Sequence, residues 1–426
     1  MKKLHTLLAI LFSLNLLAQS TQTDEGWTEL INGKDFTGWK ASENTTTWSV
    51  TAPTSRDESE GVTGGLFQAV GKRSHLYYVG EHLKDGFKNF EIEVQVKTYF
   101  LANSGIYFHT EYQETGWPSK GIEIQVNNTH IGEGDYIELK KMASLYGVRN
   151  IYKPFALDDT WMTLKAKVES NRVQIWLNGL KTVDYVQPEN PYGVRKLSKG
   201  TFALQGHDSL SRMQYRSFKV RRLPDDARSN LSAPDWGAWH DSLVLYQRNQ
   251  FAFIDLNPRN QLSAKELANY TYSTGINAAL VRASANDFGS AKNLPLFTGL
   301  KVNSDNQRFQ KKKSADYIIG ESRNLASAID LLSGNVIQVW SDKSGLLDTR
   351  HAERLLDIAA ANIVAIEIDN EKRTPSLEVI KKAKDKGCRF TFANLLPPDK
   401  TAKSLYVFEA IKMAKLTYKD IYIPKW

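Results

Sequence analysis

Two short segments between residues 104 and 128 alternate apolar and polar side chains with a period of two. In GIYFH the polar side carries Tyr107 and His109, and in GIEIQV it carries Glu123 and Gln125. A period of two is that of a β-strand with one face on the core. If the two strands pair, these four side chains lie on one face of a sheet.

The same alternation runs through residues 90–222. FEIEVQVKT opens it, TFALQGH places Gln205 and His207 opposite its apolar residues, and Asn178-Gly179 is a hairpin signal between two further strands. No convincing helical pattern interrupts this half of the chain. It therefore predicts an all-β sandwich of the jelly-roll type.

The pattern changes after residue 222. Residues 223–236 are polar, contain proline and show no period, which indicates a linker. Beyond them, apolar runs such as NIVAIEID alternate with helical patterns such as SLEVIKKAKDKG, and Ser263 and Glu266 form a capping box. Residues 237–426 are therefore expected to form an α/β domain with a parallel sheet, open or barrel-like.

Composition and the N-terminus narrow the class of protein. The 426 residues carry a net charge of +8, and the basic residues are scattered, so no nucleic-acid partner is expected. Residues 1–20 have the pattern of a cleaved signal peptide, with no cysteine for lipid attachment. We expect a mature domain from about residue 24, a periplasmic or secreted location, and no stable membrane insertion. The single cysteine, Cys388, is interpreted as a small core residue.

The polar face of the predicted sandwich has two interpretations. It is the solvated outer side of an antiparallel sheet, or it is a site that recognises sugars. Sugar recognition needs hydrogen-bond donors and acceptors for hydroxyls together with aromatic rings. Trp117, Trp161 and Tyr146 are the candidates for stacking on a sugar ring. The pattern alone leaves both interpretations open.

An ordered set of motifs extends over residues 26–222, namely GWTELINGKDFTGWK, NSGIYFH, GIEIQVNN, LYGV, WLNG and FALQGH. Together they resemble the 3-keto-disaccharide hydrolase family. The resemblance implies a concanavalin-like jelly roll, export from the cytoplasm, and action on 3-keto-glycosides, which are sugars oxidised at C3. It points to Glu123 and Gln125 in one strand and to Gln205 and His207 in another.

The chain departs from that family at two positions. His109 stands where relatives commonly carry Arg, and Gly206 stands where they commonly carry Asp. The first difference alters how substrate would be held at that corner of the site.

The chemistry of a 3-keto sugar explains this choice of residues. The ketone acidifies the hydrogen at C2, so a base can remove it and the group at C1 can leave by elimination. Such a route needs a base, a stabiliser for the enolate and an acid for the leaving group. We predict His207 as the base or a metal ligand, and Glu123 as a metal ligand or second acid–base group.

A divalent cation held by His207 and Glu123 would stabilise the enolate. The predicted contacts with the sugar are Tyr107, His109, Gln125, Tyr146 and Gln205. A carbohydrate-binding protein without catalysis would use the same face, and it is the alternative.

The C-terminal half contains IDLNPRN, NAALVRASANDF and GLKVNSD, followed by a helix–strand rhythm. These segments resemble the polymerase-and-histidinol-phosphatase metal hydrolases, which bind metals through His and carboxylate ligands. Different residues stand at the ligand positions here: Asn257, Arg259, Ala283, Ser284, Lys301 and Asn394. The resemblance therefore implies a degenerate metallohydrolase domain, because Arg and Lys repel a cation.

The mouth of this domain is expected to be positive, from Arg259, Arg282 and Lys301. Such a mouth would hold an anion or a sugar, or contact a partner. The other interpretation is a structural domain that docks on the first.

Overall fold

The structure is a computed structural model. It describes residues 26–132, 134–191, 193–227, 238–248, 250–256, 262–282, 294–303, 315–395 and 405–424. The predicted signal peptide and most of the predicted linker lie outside these residues. So do four of the predicted ligand-position residues, Asn257, Arg259, Ala283 and Ser284.

The N-terminal half is built from antiparallel strands and one short helix, α1 (Ser55–Ser59). The strands are β1 (Trp27–Glu29), β2 (Trp39–Ala41), β3 (Trp48–Thr51), β4 (Leu66–Val70), β5 (Ser74–Tyr78), β6 (Phe90–Thr98), β7 (Asn103–Thr110), β8 (Ile122–Asn127), β9 (Met162–Glu169), β10 (Arg172–Leu177), β11 (Leu180–Val186), β12 (Thr201–Gly206) and β13 (Arg212–Arg222).

These strands form two packed sheets. The larger sheet has the order β11-β10-β9-β6-β13-β4-β3, with β1 also paired to β13, and the smaller has the order β2-β5-β12-β7-β8. Apolar residues of both sheets meet between them, as where Phe90 contacts Phe202 and Phe108 with ring centroids 5.0 and 5.7 Å apart. This β-sandwich is consistent with the predicted jelly roll.

The hairpin predicted at Asn178-Gly179 joins β10 to β11. Both residues have positive φ, 49° and 81°, as a two-residue turn with the twist of a hairpin requires. Leu177 and Leu180 pair directly across the turn. The sequence signal at this turn is therefore confirmed.

The C-terminal half contains parallel strands separated by helices. The strands are β14 (Ile254–Asp255), β15 (Asn277–Arg282), β16 (Phe297–Val302), β17 (Tyr317–Glu321), β18 (Val339–Ser341), β19 (Ala365–Asp369) and β20 (Phe390–Ala393). The helices are α2 (Ala238–Arg248), α3 (Ala264–Thr274), α4 (Leu325–Ser333), α5 (Ala352–Ala361), α6 (Leu377–Asp385) and α7 (Tyr406–Met413). Among the described residues the strands close into a barrel in chain order, with β14 pairing β20.

Local signals in this half agree with the structure. The Ser263 side chain accepts from the backbone N–H of Glu266, whose carboxylate accepts from the Ser263 N–H, so the predicted capping box begins α3. Cys388 is buried, and burial raises the pKa of its thiol to about 11. A thiol with that pKa stays protonated at neutral pH, which agrees with a packing role.

The two halves meet through the segment between β8 and β9. Tyr152 is buried and packs with Phe297 and Tyr317, the residues that begin β16 and β17. Its hydroxyl donates to the Phe251 carbonyl at 3.0 Å, and its backbone N–H donates to Asn277 Oδ1 at 3.2 Å. The sandwich therefore inserts a tyrosine at the end of the barrel where the strands begin.

No helix among the described residues is both long enough and apolar enough to cross a membrane.

Candidate functional site

The polar residues predicted to share a face come together on the smaller sheet. Tyr107 pairs with Glu123 across β7 and β8, and Gly105 pairs with Gln125. A Cβ at Gly105 would lie 2.2 Å from Glu123 Oε1. Glycine at this position therefore leaves the space that the Glu123 carboxylate occupies.

A cavity of about 460 Å³ opens over this face. Its lining residues are Asn103, Tyr107, Trp117, Pro118, Glu123, Gln125, Tyr136, Glu138, Tyr146, Arg195, Gln205 and His207. The volume is in the range of small-molecule sites. It brings together Tyr107, Glu123, Gln125, Tyr146, Gln205 and His207 from the sequence prediction.

Glu123 is the central carboxylate on the cavity floor. Its Oε2 accepts from the Tyr107 hydroxyl at 2.9 Å and its Oε1 accepts from the Gln205 amide at 3.1 Å. Burial raises the pKa of Glu123, although Arg195 and the Tyr107 hydrogen bond favour the charged form. A carboxyl with a raised pKa keeps its proton to a higher pH than a free carboxyl does, which is what a general acid requires.

A second carboxylate, Glu138, enters the cavity from the segment after β8. Lys140 Nζ lies 3.3 Å from its Oε1, and both side chains are only 1% exposed. Burial by itself raises the pKa of Glu138, but Lys140 and a hydrogen bond from Tyr136 outweigh burial and leave it lowered. Glu123 and Glu138 thus have pKa values displaced in opposite directions within one cavity.

Lys140 and Tyr146 connect Glu138 to its surroundings. Lys140 Nζ also donates to the Tyr146 hydroxyl at 3.3 Å and to Gln250 Oε1 at 2.6 Å. The Tyr146 hydroxyl donates to Glu138 Oε2 at 3.2 Å. Gln250 precedes β14, so a residue of the C-terminal half supports a wall of this cavity.

Arg195 supplies a positive charge to the cavity. Its guanidinium lies over the Tyr146 ring, 4.6 Å from the centroid, and 3.7 Å from Glu123 Oε2. It comes from the connection between β11 and β12, whose described residues form no helix or strand. An arginine here is positioned to stabilise negative charge that develops on a bound molecule.

His207 lies at the edge of the cavity with a carboxylate behind it. Its Nδ1 is 2.6 Å from Asp208 Oδ2, and the Asp208 carboxylate also accepts from the backbone N–H of Ser211 at 2.9 Å. Burial alone raises the pKa of Asp208, but His207 and Ser211 lower it to about 2, so Asp208 is ionised at neutral pH. An ionised Asp208 holds a proton on Nδ1 and leaves Nε2 as the basic nitrogen. Trp117 packs beside the imidazole, with ring centroids 5.1 Å apart.

His109 is not at this cavity, so the face assigned to it from the alternation is corrected. Its φ is 56°, and the opposing Gly121 has φ 95°, so the strand alternation breaks here. One ring nitrogen lies 2.9 Å from the Lys88 carbonyl and the other accepts from the Ser198 N–H at 3.0 Å. Burial lowers the pKa of His109 to about 4, as expected for a neutral structural imidazole.

Two of the three candidates for stacking on a sugar ring lie at the cavity, and the third does not. Trp117 and Tyr146 line the cavity. Trp161 instead donates to Asp57 Oδ1 at 2.9 Å and lies beneath Lys97, whose Nζ is 4.9 Å from the ring centroid. It belongs to an ion-pair cluster away from the cavity.

The residues around Glu123 do not fit the divalent cation predicted for it. Both carboxylate oxygens already accept hydrogen bonds, and Arg195 and Lys140 bring positive charge to the same cavity. Across the described ranges, no three or more His, Cys, Asp or Glu side chains are grouped to share a metal ion.

Of the three residues predicted to make the barrel mouth positive, Arg259 and the side chain of Arg282 lie outside what the structure describes, and Lys301 is paired with a carboxylate. Lys301 Nζ lies 3.0 Å from Glu321 Oε1, and Lys343 Nζ lies 3.0 Å from Glu367 Oε1. Asn394 donates through its side-chain amide to Asp369 Oδ2 at 3.0 Å. Carboxylates therefore lie at the ends of these strands. The sequence analysis had noted only that the metal ligands of the resembled family are replaced.

Several site residues have weak sequence signals. Glu138, Lys140 and Arg195 lie in segments without a hydrophobic period, and only the fold brings them to the sheet. Asp208 follows His207 directly, so a search for a carboxylate beside the candidate base would have found it.

The match to a known family covers the sandwich. Residues 26–221 match the model of the family described as the 3-keto-alpha-glucoside-1,2-lyase-like domain. The match ends before the barrel, so it leaves the resemblance to metal hydrolases as a prediction. No curated protein matches the chain.

Two similar solved structures also cover less than half of the chain. A candidate glycosyl hydrolase of Parabacteroides distasonis is 22% identical, covers 47% of this chain and 95% of its own, and has a TM-score of 0.36. The carbohydrate-binding module CBM66 of Bacillus subtilis is 16% identical, covers 44% and 98%, and has a TM-score of 0.29. At these scores neither likeness bears on the function of this chain.

Proposed function

We propose that residues 26–221 cleave the glycosidic bond of 3-keto-glycosides by elimination across C1 and C2. The observation that carries this proposal is an acid and a base in one cavity. Glu123 has a raised pKa, and His207 has its proton directed by Asp208. The family match over the same residues supports the choice of substrate.

In the first step, His207 Nε2 takes the proton from C2 of the sugar. The electron pair of that C–H bond becomes the C2–C3 double bond, and the C3 carbonyl becomes an enolate. Arg195 stabilises the enolate oxygen, because its guanidinium is held over Tyr146 inside the cavity. Preorganised positive charge of this kind lowers the barrier to enolate formation.

In the second step, the carbonyl re-forms and the C1–C2 double bond appears as the C1–O bond breaks. The departing oxygen takes its proton from Glu123. Water added across the C1–C2 bond then gives the free 3-keto sugar. Gln125 positions hydroxyls, since its Oε1 has no partner among the described residues and its amide donates to Asn103 Oδ1 at 3.1 Å.

We also propose an exported location, because residues 1–20 have the composition of a signal peptide. A second candidate function is carbohydrate binding without catalysis. Trp117 and the hydrogen-bonding groups of the cavity would serve a bound sugar equally well.

The test combines cleavage of a 3-keto-glycoside panel with hydrogen exchange at C2 in deuterated water. Wild type is expected to release the 3-keto sugar. Glu123→Gln should retain exchange at C2 while cleavage falls, because its base is intact, and His207→Ala should lose both. Binding of sugar by wild type without exchange or release would replace this proposal with the binding function.

A further inference from the structure

A second cavity opens at the other end of the small sheet. It measures about 320 Å³, and its lining includes Tyr78, Thr110, Glu111, Tyr112, Lys120 and Lys199. Lys120 Nζ pairs with Glu111 Oε2 at 3.2 Å, and the Tyr112 ring carries Lys40 Nζ 3.8 Å from its centroid. Mixed charge, hydroxyls and an aromatic ring suit a neutral polyhydroxylated ligand better than a simple ion.

A row of rings joins the two cavities. Starting at the first cavity, His207 contacts Trp117 with ring centroids 5.1 Å apart, and Trp117 contacts His75 at 5.6 Å. His75 is 6.2 Å from Tyr77, and Tyr77 is 5.4 Å from Tyr112, which lines the second cavity. The row lies along the same sheet face as Glu123.

The middle of this row and Thr110 of the second cavity contain polar atoms without partners among the described residues. Both ring nitrogens of His75, the Tyr77 hydroxyl and the Thr110 hydroxyl have no hydrogen-bond partner among the described residues. All three side chains are at most 1% exposed. Buried groups of this kind are almost always paired, so these unpaired groups along the row and at the second cavity call for a partner.

His75 in this row is a hydrogen-bonding group and not a proton-transfer group. Burial, with Arg73 nearby, lowers the pKa of His75 to about 3, so its ring is neutral and offers one donor and one acceptor. Tyr77 and Thr110 each add a hydroxyl that donates and accepts. Sugar hydroxyls also donate and accept, and they match this set.

Residues 111–121 cover this row. Tyr112 and Trp117 belong to the cover and pack on Tyr77 and His75. Two hydrogen bonds join the cover to Glu43. The backbone N–H of Gly116 donates to Glu43 Oε1 at 2.9 Å, and the backbone N–H of Glu43 donates to the Glu114 carbonyl at 2.8 Å.

We propose that the row and the second cavity form an extended sugar-binding groove, which residues 111–121 uncover for substrates longer than a disaccharide. The reacting ring occupies the first cavity and a distal ring occupies the second. This assignment rests on the proposed function for the reacting end, but the binding of the distal rings does not depend on cleavage. The ligand class is an oligosaccharide of at least three rings.

The test measures affinity as a function of oligosaccharide length by titration calorimetry. The probes are unoxidised maltose, maltotriose and maltohexaose, with cellobiose and cellohexaose as a second series. The hexaoses of at least one series should bind wild type at least tenfold more tightly than the disaccharide. Tyr77→Phe and Thr110→Val should each weaken hexaose binding about fivefold to tenfold, the loss of one hydrogen bond, and leave disaccharide binding unchanged.

The matched control is Tyr317→Phe, which also removes a buried hydroxyl without a partner among the described residues, but inside the barrel. It should bind every probe as wild type does. Because Tyr77→Phe removes an unpaired group, its midpoint of unfolding should equal or exceed that of wild type, which separates lost binding from lost folding.

Equal affinity for all lengths in both series would overturn the groove, as would equal weakening by the control. Length-dependent binding without cleavage of any 3-keto-glycoside would leave the groove standing and refute the proposed reaction. Cleavage of 3-keto-disaccharides without any dependence of binding on oligosaccharide length would support the proposed reaction and refute the groove.

Discussion

Replacing Lys140 with methionine removes the positive charge from a buried ion pair in the cavity wall. Lys140 Nζ lies 3.3 Å from Glu138 Oε1, and both side chains are 1% exposed. Methionine keeps most of the length of the side chain, so the change is chiefly electrostatic. It leaves the Glu138 carboxylate buried beside the hydroxyls of Tyr136 and Tyr146, with no other described cation paired to it.

The size of the effect follows from what Glu138 can do in the variant. Removing one partner of a buried pair costs about 3–5 kcal/mol of unfolding free energy. The carboxylate limits this cost by taking up a proton. From an unfolded pKa of roughly 4.3, protonation at pH 7 costs about 1.4 kcal/mol per pH unit, or about 4 kcal/mol in total.

The sign of the pH dependence also follows. In wild type, Lys140 and Tyr136 lower the pKa of Glu138 against burial, so its ionised form stabilises the fold above the unfolded pKa. In the variant, burial raises that pKa, and stability is lost as the pH rises from about 4.3 toward 7. The difference between the two proteins should therefore be largest at pH 7 and shrink by about 1.4 kcal/mol per unit toward pH 5.

Urea unfolding of both proteins at pH 5, 6 and 7 measures this difference. The matched control is Lys165→Met, which breaks an ion pair with Glu93 of 2.6 Å in which the lysine side chain is 51% exposed. The control should lose less than about 1 kcal/mol at every pH. Adding Glu138→Gln to Lys140→Met should restore most of the loss. A loss from Lys140→Met below 1 kcal/mol, or one independent of pH, would refute the reasoning.

Three further predictions concern the base and the contact between the halves. Asp208→Asn should lower kcat about a hundredfold with little change in KM, because the amide no longer holds a proton on His207 Nδ1; a change in KM alone, measured by steady-state cleavage, would contradict the assignment. Tyr152→Ala should lower the unfolding free energy by about 3–5 kcal/mol in denaturant titrations, since it empties a buried aromatic volume at the barrel end; a loss near zero would show that the halves do not depend on this contact. Gln250→Leu should lower kcat/KM about tenfold and Gln250→Glu should restore it, because only the second keeps an oxygen for Lys140; equal rates for both variants would refute a positioning role.

The alternation of apolar and polar residues predicted the shared sheet face because β7 and β8 are regular at the residues on which the prediction was based. Tyr107 and Glu123 pair directly, and their side chains share the cavity floor. The same reasoning failed two residues later at His109, where a left-handed backbone conformation turns the strand. A period of two by itself cannot show where such a break occurs.

The residues of the cavity walls could not be predicted from the sequence, for a different reason. Glu138 and Arg195 come from irregular segments 57 residues apart in the chain, and no local pattern relates them. The lowered pKa of Glu138 and the contact of Arg195 with Glu123 arise only when the fold brings these segments to the sheet. In the barrel, similarly, apolar runs predicted the strands, but the pairing of Lys301 with Glu321 across β16 and β17 required the register.

The contact between the halves gives the barrel a role that needs no chemistry of its own. The segment after β8 supplies Glu138 to the cavity with Lys140 buried beside it and, twelve residues beyond Lys140, inserts Tyr152 at the barrel end. A buried ion pair is favourable only when its geometry is fixed and its remaining hydrogen-bonding capacity is satisfied. Gln250 of the C-terminal half satisfies one hydrogen of Lys140 at 2.6 Å. The barrel thereby holds the charged wall of the cavity in place, and this support is a role that needs no metal or catalytic group in the barrel.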